Sequence, residues 1–230
     1  MHREAQGILA IWHDIAEGHR EDTLAWYDCE HHAERVGIPG FLSARRYMAV
    51  EGTPELFIRY ETTGPEVLSS PAYLERLNNP TRWSLRGQMT IVNNSRTVCC
   101  IARRTGESEG GLVLTARLSA APSESVAAAW DQDGTIERLT GRSGILSAEL
   151  WLADAARSAI PTREKELRGV VDRHASATLV VHATDEKSLR EAAAAEIAGS
   201  RLLQSGEGAE IGLYRLAFSL ESMANSDSVV

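Results

Sequence analysis

The sequence predicts an α+β fold made of two copies of one β-α-β-β-α-β unit. An apolar run that begins at Gly7, GILAIWHDI, is matched 104 positions later by GLVLTARL, which begins at Gly111. The longer runs WYDCEHHAERVGIPGFLSARRYMA, from Trp26, and WDQDGTIERLTGRSGILSAELWLA, from Trp130, keep the same offset. An offset that holds across a strand, a helix and a second strand indicates an internal repeat.

The first unit, residues 1–106, shows a signal for each of its elements. Four apolar runs rich in β-branched residues predict strands, at 7–15, 41–50, 55–63 and 96–104. The run 20–36 predicts a helix that ends at GIPG. Ser70 as N-cap and Pro71 as first helical residue predict a second helix over 70–77.

The second unit, residues 110–222, follows the linker GESEGG and repeats this order. Its strands are predicted at 111–118, 144–153, 177–184 and 210–220, and its helices at 123–139 and 185–199. Extra residues at about 154–175 predict a helical insertion that acts as a lid or cover. The polar tail, residues 223–230, is expected to be flexible.

The predicted element order is that of a ferredoxin-like unit, a sheet with helices on one face. The other face of each sheet must be buried. We therefore expect the two copies to pack sheet to sheet into an α+β barrel with a cavity inside. The faces fit equally well within one chain, as a monomeric pseudo-dimer, or between two chains, as a homodimer.

Composition narrows the range of partners and cofactors. The 230 residues carry a formal net charge of −8, which disfavours nucleic acid or an anionic membrane as the main partner. Three cysteines without C-x-x-C spacing favour reduced thiols in a cytoplasmic protein. The sequence contains no G-x-G-x-x-G, Walker, G-x-S-x-G or H-E-x-x-H motif. We therefore expect no cofactor and no metal.

Alternation along the strands predicts the barrel wall. Leu112, Leu114, Ala116 and Leu118 form an apolar set that should face the helices, so Arg117 should point inward. The same reasoning, carried between the copies by the offset, gives the polar and aromatic residues of the wall: His13, Arg45, Tyr47, Tyr60, Arg117, Glu149, Trp151 and His182. A few polar groups in an apolar pocket are typical of a small-molecule site. The alternative is that Arg45 and Glu149 merely form an ion pair at the barrel mouth.

The first helix carries two adjacent histidines, His31 and His32. Trp26, Cys29, Ala33 and Val36 have the spacing of a stripe that packs on the sheet. His31 lies off that stripe, so spacing alone favours an exposed or structural residue, and we expect His32 to be on the surface. Adjacent helical residues point about 100° apart and do not easily share a metal ion.

The segment WYDCEHHAERVGIPGFLSARRY resembles the dimeric α+β barrel superfamily, and within it the EthD-like proteins, in which W-Y-x-x-E-H, P-G-F and R-Y runs recur. The resemblance implies a barrel pocket for a small aromatic or lactone substrate, with His31 at its border. Relatives include muconolactone isomerases, polyketide cyclases, cofactor-free monooxygenases and haem-binding chlorite-dismutase-like proteins.

Together these observations favour a cofactor-independent enzyme of the isomerase, cyclase or lyase type that moves protons on a small, mostly apolar substrate. His31 or His13 would be the general acid/base, and Tyr47 and Tyr60 would orient a substrate oxygen. Arg45 or Arg117 would hold a carboxylate or oxyanion, beside Glu149, Trp151 and His182. The alternatives are a non-catalytic binding protein, a cofactor-free monooxygenase, and a haem protein with His174 or His182 as ligand.

Overall fold

Eight antiparallel strands close into a barrel in the computed structural model, which describes residues 5–119, 134–169, 172–198 and 209–223. The strands are β1 (Gly7–Ile15), β2 (Phe41–Glu51), β3 (Leu56–Thr62), β4 (Ile91–Thr105), β5 (Leu112–Leu118), β6 (Ile145–Ala153), β7 (Ala177–Ala183) and β8 (Glu210–Glu221). Their order around the barrel is β1-β3-β2-β8-β5-β7-β6-β4. The α+β barrel predicted from the sequence is confirmed.

The barrel has two halves with the same internal strand order. In the first half, β1 to β4, the order is β4-β1-β3-β2, and in the second half, β5 to β8, it is β8-β5-β7-β6. The halves join through the pairs β2–β8 and β4–β6. Every strand of this barrel is therefore paired on both sides by strands of the same chain.

Short helices cover the outside of the barrel. They are α1 (Arg20–Trp26), α2 (His32–Val36), α3 (Pro71–Asn78), α4 (Arg82–Met89), α5 (Thr135–Thr140), α6 (Ala155–Ser158), α7 (Arg163–Arg168) and α8 (Glu186–Ala192). A π-helical segment, Tyr27–His31, joins α1 to α2, a second one, Ala193–Ile197, follows α8, and a 3₁₀ turn spans Pro65–Ser69. No helix in the described ranges has the length and hydropathy needed to span a membrane.

Helix boundaries follow local capping. The Ser70 side chain accepts a hydrogen bond from the Tyr73 N–H, as its N-cap role predicts. Helix α4 was not predicted, and it begins at a similar cap, in which Thr81 accepts from the Ser84 N–H at 2.9 Å. Of the helix predicted over 123–139, residues 123–133 lie outside the described part of the chain, as do residues 224–230 of the predicted flexible tail.

Aromatic rings fill the middle of the barrel. Phe57 lies at their centre, with its ring centroid 4.7 Å from that of Trp12, 5.3 Å from Tyr47, 5.7 Å from Tyr214 and 6.3 Å from Trp151. All five side chains are buried. The substrate pocket expected there is thus replaced, in the middle of the barrel, by a packed core.

The predicted faces of β1 and β3 are wrong for His13 and Tyr60. Trp12, not His13, packs inside the barrel, and Tyr60 belongs to the cluster between the sheet and the helices. In β1 the inward residues are Ile8, Ala10 and Trp12, whereas the 104-residue offset from the inward Val113 would give Leu9. The two strands therefore differ by one residue in which positions face inward. A shift of one residue moves every side chain to the opposite face of a strand.

Candidate functional site

Among the described residues, buried polar side chains are concentrated between sheet and helices in the first half of the barrel, whereas this layer is mainly apolar in the second half. The described core of the second half consists of Leu, Ile, Val and Ala side chains. In the first half the corresponding layer buries a set of polar side chains, which we call the histidine site: His13, Tyr27, His31, His32, Arg35, Tyr60, Tyr73, Gln88, Asn94, Arg96, Glu164, Arg168 and Asp172. Burying polar groups is costly, so this concentration indicates a function other than packing.

A small internal cavity of about 30 Å³ lies in the histidine site. His31, Arg35 and Asn94 are among its lining residues. Each carries one buried polar atom without a hydrogen-bond partner among the described residues, namely Nδ1 of His31, Nη1 of Arg35 and Oδ1 of Asn94. The lining thus offers a donor, an acceptor and a ring nitrogen that can act as either.

The π-helical segment brings both adjacent histidines into this layer. His31 and His32 are buried, whereas Cys29 and Ala33 are exposed. A π turn inserts an extra residue into the helix and rotates the residues after it, and such turns are frequent at functional sites. The predicted stripe of Cys29 and Ala33 is therefore wrong, and so is the prediction that His32 lies on the surface.

His31 lies against aromatic rings at the cavity. Its ring centroid is 4.2 Å from that of Trp26 and 5.4 Å from that of Tyr27, which it meets edge-on. Burial lowers the pKa of His31 well below 6.5, and the nearby Arg35 guanidinium lowers it further. At neutral pH the imidazole is therefore uncharged and can accept a proton.

His13 and Tyr27 form a hydrogen-bonded chain with a fixed direction. His13 Nδ1 lies 2.9 Å from the Asp14 carbonyl oxygen, which can only accept, so this nitrogen carries the hydrogen. His13 Nε2 must then accept from the Tyr27 hydroxyl, 2.8 Å away. Burial lowers the pKa of His13 to about 4, which keeps the ring neutral. The Tyr27 oxygen keeps its lone pairs as acceptors.

His32 and Tyr60 form a second pair beside the first. His32 Nδ1 is 2.8 Å from the Tyr60 hydroxyl oxygen. The His32 ring stacks between Tyr27, at 5.0 Å, and Phe218, at 4.7 Å. Burial lowers the pKa of His32 well below 6.5 and raises that of Tyr60 well above 10. Both groups are neutral and hold the π segment against the sheet.

The second half contributes charge to the histidine site through the β6–β7 connection. The Glu164 carboxylate on α7 forms a buried ion pair with Arg35 and accepts a hydrogen bond from Gln88 Nε2 at 3.1 Å. Arg168 holds Asp172 through two hydrogen bonds, of 3.1 and 2.7 Å. The charged groups of the site therefore come from both halves of the barrel.

The remaining predicted residues lie in the barrel interior, at its two ends and in the aromatic core between them. At one end an open cavity of about 390 Å³ is lined by Arg45 and Glu149, among others. These two do not pair with each other, because Arg45 binds Glu61, Glu109 and Glu221, while Arg104 binds Glu149. The predicted Arg45–Glu149 pair is therefore replaced by a wider network.

Inside this mouth, Arg59 organises the network. Its Nη1 donates to His182 Nε2 at 3.2 Å, so His182 carries its hydrogen on Nδ1. Burial lowers the pKa of His182 to about 4, whereas Arg59 lowers that of Glu109 to about 2. Possible ligand atoms of Glu109, Glu149 and His182 lie within 4.8 Å of one another. Arginines already neutralise these carboxylates, so the arrangement does not suit a metal cation.

Tyr47, Trp151 and Arg117 are structural neighbours of the aromatic core. Tyr47 packs within it, and burial raises the pKa of Tyr47 to about 12. Trp151 donates its Nε1–H to Glu149 at 2.7 Å. At the opposite end, the Arg117 guanidinium lies 4.7 Å from the Trp12 ring centroid and pairs with Glu210 at 2.7 Å. His174, also considered, is exposed and its Nδ1 binds the Arg96 carbonyl oxygen.

The predicted catalytic residues therefore fall into two separate places. His31 and His13 both contact Tyr27 on the helix side of the sheet, whereas Tyr47 lies on the barrel side. Sequence reasoning missed Tyr27 and Arg35, although positions 27, 31 and 35 have the i, i+4, i+8 spacing of one helix face.

Comparison with known proteins supports the fold. No protein-family model matches the chain, and no curated protein sequence matches it significantly. Among solved structures, an anthrone oxidase-like protein is 10% identical with a TM-score of 0.62, over 99% of this chain and 98% of its own. A proposed monooxygenase from Fusobacterium nucleatum is 11% identical with a TM-score of 0.57, over 95% of each chain. A proposed chlorite dismutase is 10% identical, covers 93% of this chain and 96% of its own, and has a TM-score of 0.53. At identities this low, these structural similarities show a shared fold alone.

Proposed function

We propose that this protein is an enzyme that binds a small, mostly aromatic organic molecule in the histidine site and moves a proton on it. The supporting observation is the trio of unpartnered polar atoms on His31, Arg35 and Asn94 around one cavity. The described core of the second half serves as an internal comparison, because it is a cluster of Leu, Ile, Val and Ala side chains.

His31 is the general base in this proposal. Burial keeps the ring neutral at pH 7, and its unpartnered Nδ1 would take a proton from an acidic C–H or O–H of an enolisable or phenolic substrate. The Arg35 guanidinium stabilises the enolate or phenolate oxygen that develops. Return of the proton to another atom of the substrate completes an isomerisation or cyclisation.

A cofactor-free oxygenation is the second candidate, and the neighbouring structures favour it. Proteins that share the fold are described as an anthrone oxidase-like protein and a proposed monooxygenase. Both reaction types begin with proton removal from the substrate. They differ in the next step, because oxygenation consumes molecular oxygen and isomerisation does not.

Exchange of substrate hydrogen for deuterium tests the shared first step. The protein is incubated in D₂O with a panel of enolisable aromatic ketones, including anthrone, and loss of the C–H signal is followed by NMR. We expect exchange by the native protein and a loss of about 100-fold, the usual contribution of a general base, in His31→Gln. The exposed His19→Gln serves as the matched control.

Two further readings separate the candidates. Oxygen uptake during exchange supports the oxygenase, and its absence alongside rearranged product supports the isomerase or cyclase. Equal exchange rates in the native protein and in His31→Gln would refute the assignment of His31. Tight binding of panel members without exchange would identify a non-catalytic binding protein.

A further inference from the structure

The Arg35–Glu164 ion pair connects the two halves of the barrel across the histidine site. Arg35 extends from α2 of the first half, and Glu164 from α7, a helix of six residues in the β6–β7 connection. The side chains are 2% and 6% exposed, so the pair is shielded from water. A shielded carboxylate beside the cavity is a feature that proton transfer by His31 does not explain.

Arg35 is used incompletely in this pair. Its Nη2 contacts Glu164 Oε1, while Nη1 is buried without an acceptor among the described residues. The second oxygen of Glu164 accepts from Gln88 instead. A guanidinium group binds a carboxylate best through two parallel hydrogen bonds. Glu164 therefore bonds one terminal nitrogen of Arg35, whereas a free carboxylate could bond both.

The charge of the site also favours an anion. Arg35, Arg96 and Arg168 line the cavity, and Glu164 and Asp172 are the carboxylates that face them. The histidines add no negative charge and are neutral because burial lowers each pKa. Outward movement of α7 with Glu164 would leave Arg35 without its ion-pair partner, while Arg96 on β4 stays in the cavity wall.

The size of the cavity indicates that something must move before an organic molecule enters. A volume of about 30 Å³ corresponds to about one water molecule. Glu164 lines the cavity from α7, a helix of six residues that packs on α3 and α4. Its removal would enlarge the cavity and free Arg35 in the same step.

We propose that the substrate of the histidine site carries a carboxylate, and that this carboxylate replaces Glu164 on Arg35 while α7 moves outward. The inference rests on the proposed function for the location of the site and adds the class of its ligand, an aromatic carboxylic acid. Glu164 then acts as an internal competitor that closes the empty site.

Binding of benzoate tests this inference, with neutral benzamide as the comparison ligand. Dissociation constants are measured by isothermal titration calorimetry for the native protein and for Glu164→Gln. We expect Glu164→Gln to bind benzoate at least tenfold more tightly, because the competing carboxylate is gone, and to bind benzamide unchanged. The exposed Glu166→Gln on the same helix is the matched control.

A second variant checks the role of Arg35. In the Glu164→Gln background, Arg35→Gln should abolish the gain in benzoate affinity. Benzoate affinity in Glu164→Gln that equals or falls below the native value would overturn the inference, as would failure of both proteins to bind benzoate.

Hydrogen exchange of the native protein gives a test that does not depend on any variant. Saturating benzoate should increase amide exchange over Arg163–Arg168 by at least tenfold, since α7 leaves its position. Unchanged or slower exchange there would contradict the displacement of α7. If benzoate binds as expected here but no substrate exchanges hydrogen for deuterium, the proposed function is disproved and this inference stands. If only substrates without a carboxylate exchange hydrogen for deuterium, the proposed function stands and this inference is disproved.

Discussion

Lowering the pH from 7.5 to 5 is expected to remove a large part of the free energy of unfolding. Burial lowers the pKa of His13 and His182 from 6.5 to about 4 in the native state. Unfolded histidines take up protons near pH 6.5, so between pH 6.5 and 4 the unfolded chain binds more protons than the native one. The stabilisation is complete above about pH 6.5 and is lost as the pH falls towards 4.

The size of the effect follows from these two pKa values. A difference of about 2.5 in pKa corresponds to about 3 kcal/mol or slightly more per group, hence to ~7 kcal/mol for His13 and His182 together. About 4 kcal/mol of this is already lost at pH 5. His31 and His32 act in the same direction. Since whole domains are stable by about 5–15 kcal/mol, acid should unfold this protein readily.

Urea unfolding followed by circular dichroism, at several pH values between 7.5 and 5.0, measures the loss. The range stops at pH 5 because Glu109 and Asp172, whose pKa values are lowered in the native state, add to the loss at lower pH. His182→Gln should reduce the slope by up to about 1.4 kcal/mol per pH unit. Exposed His19→Gln should not change it. A loss below about 1 kcal/mol from pH 7.5 to 5 would refute the view that these rings are buried and neutral.

Two substitutions next to the π segment should destabilise the protein for different reasons. A Cβ added in Gly87→Ala would lie 2.5 Å from the fully buried Trp26 ring, so overpacking should outweigh the helix propensity of alanine and cost about 1–2 kcal/mol in urea unfolding. Gly111→Ala, whose Cβ would meet nothing within 4 Å, is the control, and an equal loss there would contradict the argument. Tyr27→Phe should cost about 1–3 kcal/mol, because it leaves His13 Nε2 buried without a donor, and a neutral result would show that this hydrogen bond is dispensable.

The barrel could be predicted because its signals are spread over the whole chain. The repeated order of apolar runs, and the need of each sheet to bury its bare face, lead to a barrel whatever the details of any one strand. The face of an individual strand depends on a single residue of register. In β1 both alternating sets are apolar over Ile8–Trp12, so the sequence there does not distinguish the inner face from the outer.

The histidine site could be predicted in part. His31 was singled out through the resemblance of its motif, but the stripe expected of a regular helix included Cys29 and Ala33, which are exposed, and left out His32, which is buried. The π turn that changes this has no clear sequence signature. Glu164 could not be predicted, because its partner Arg35 lies 129 positions away and the two meet through packing of α7 on the opposite half.

Closure of the barrel within one polypeptide has a consequence for how such a protein can evolve. When two identical subunits form a barrel, every substitution appears in both. A buried polar residue then lowers the stability of the barrel at two places. Here β2–β8 and β4–β6 pair inside one chain, so each half can accumulate its own substitutions. The layer between sheet and helices can then remain mainly apolar in the described part of one half while it buries histidines and arginines in the other. The two halves thus differ in this layer, and the connection that carries Glu164 brings a side chain of the second half into the histidine site.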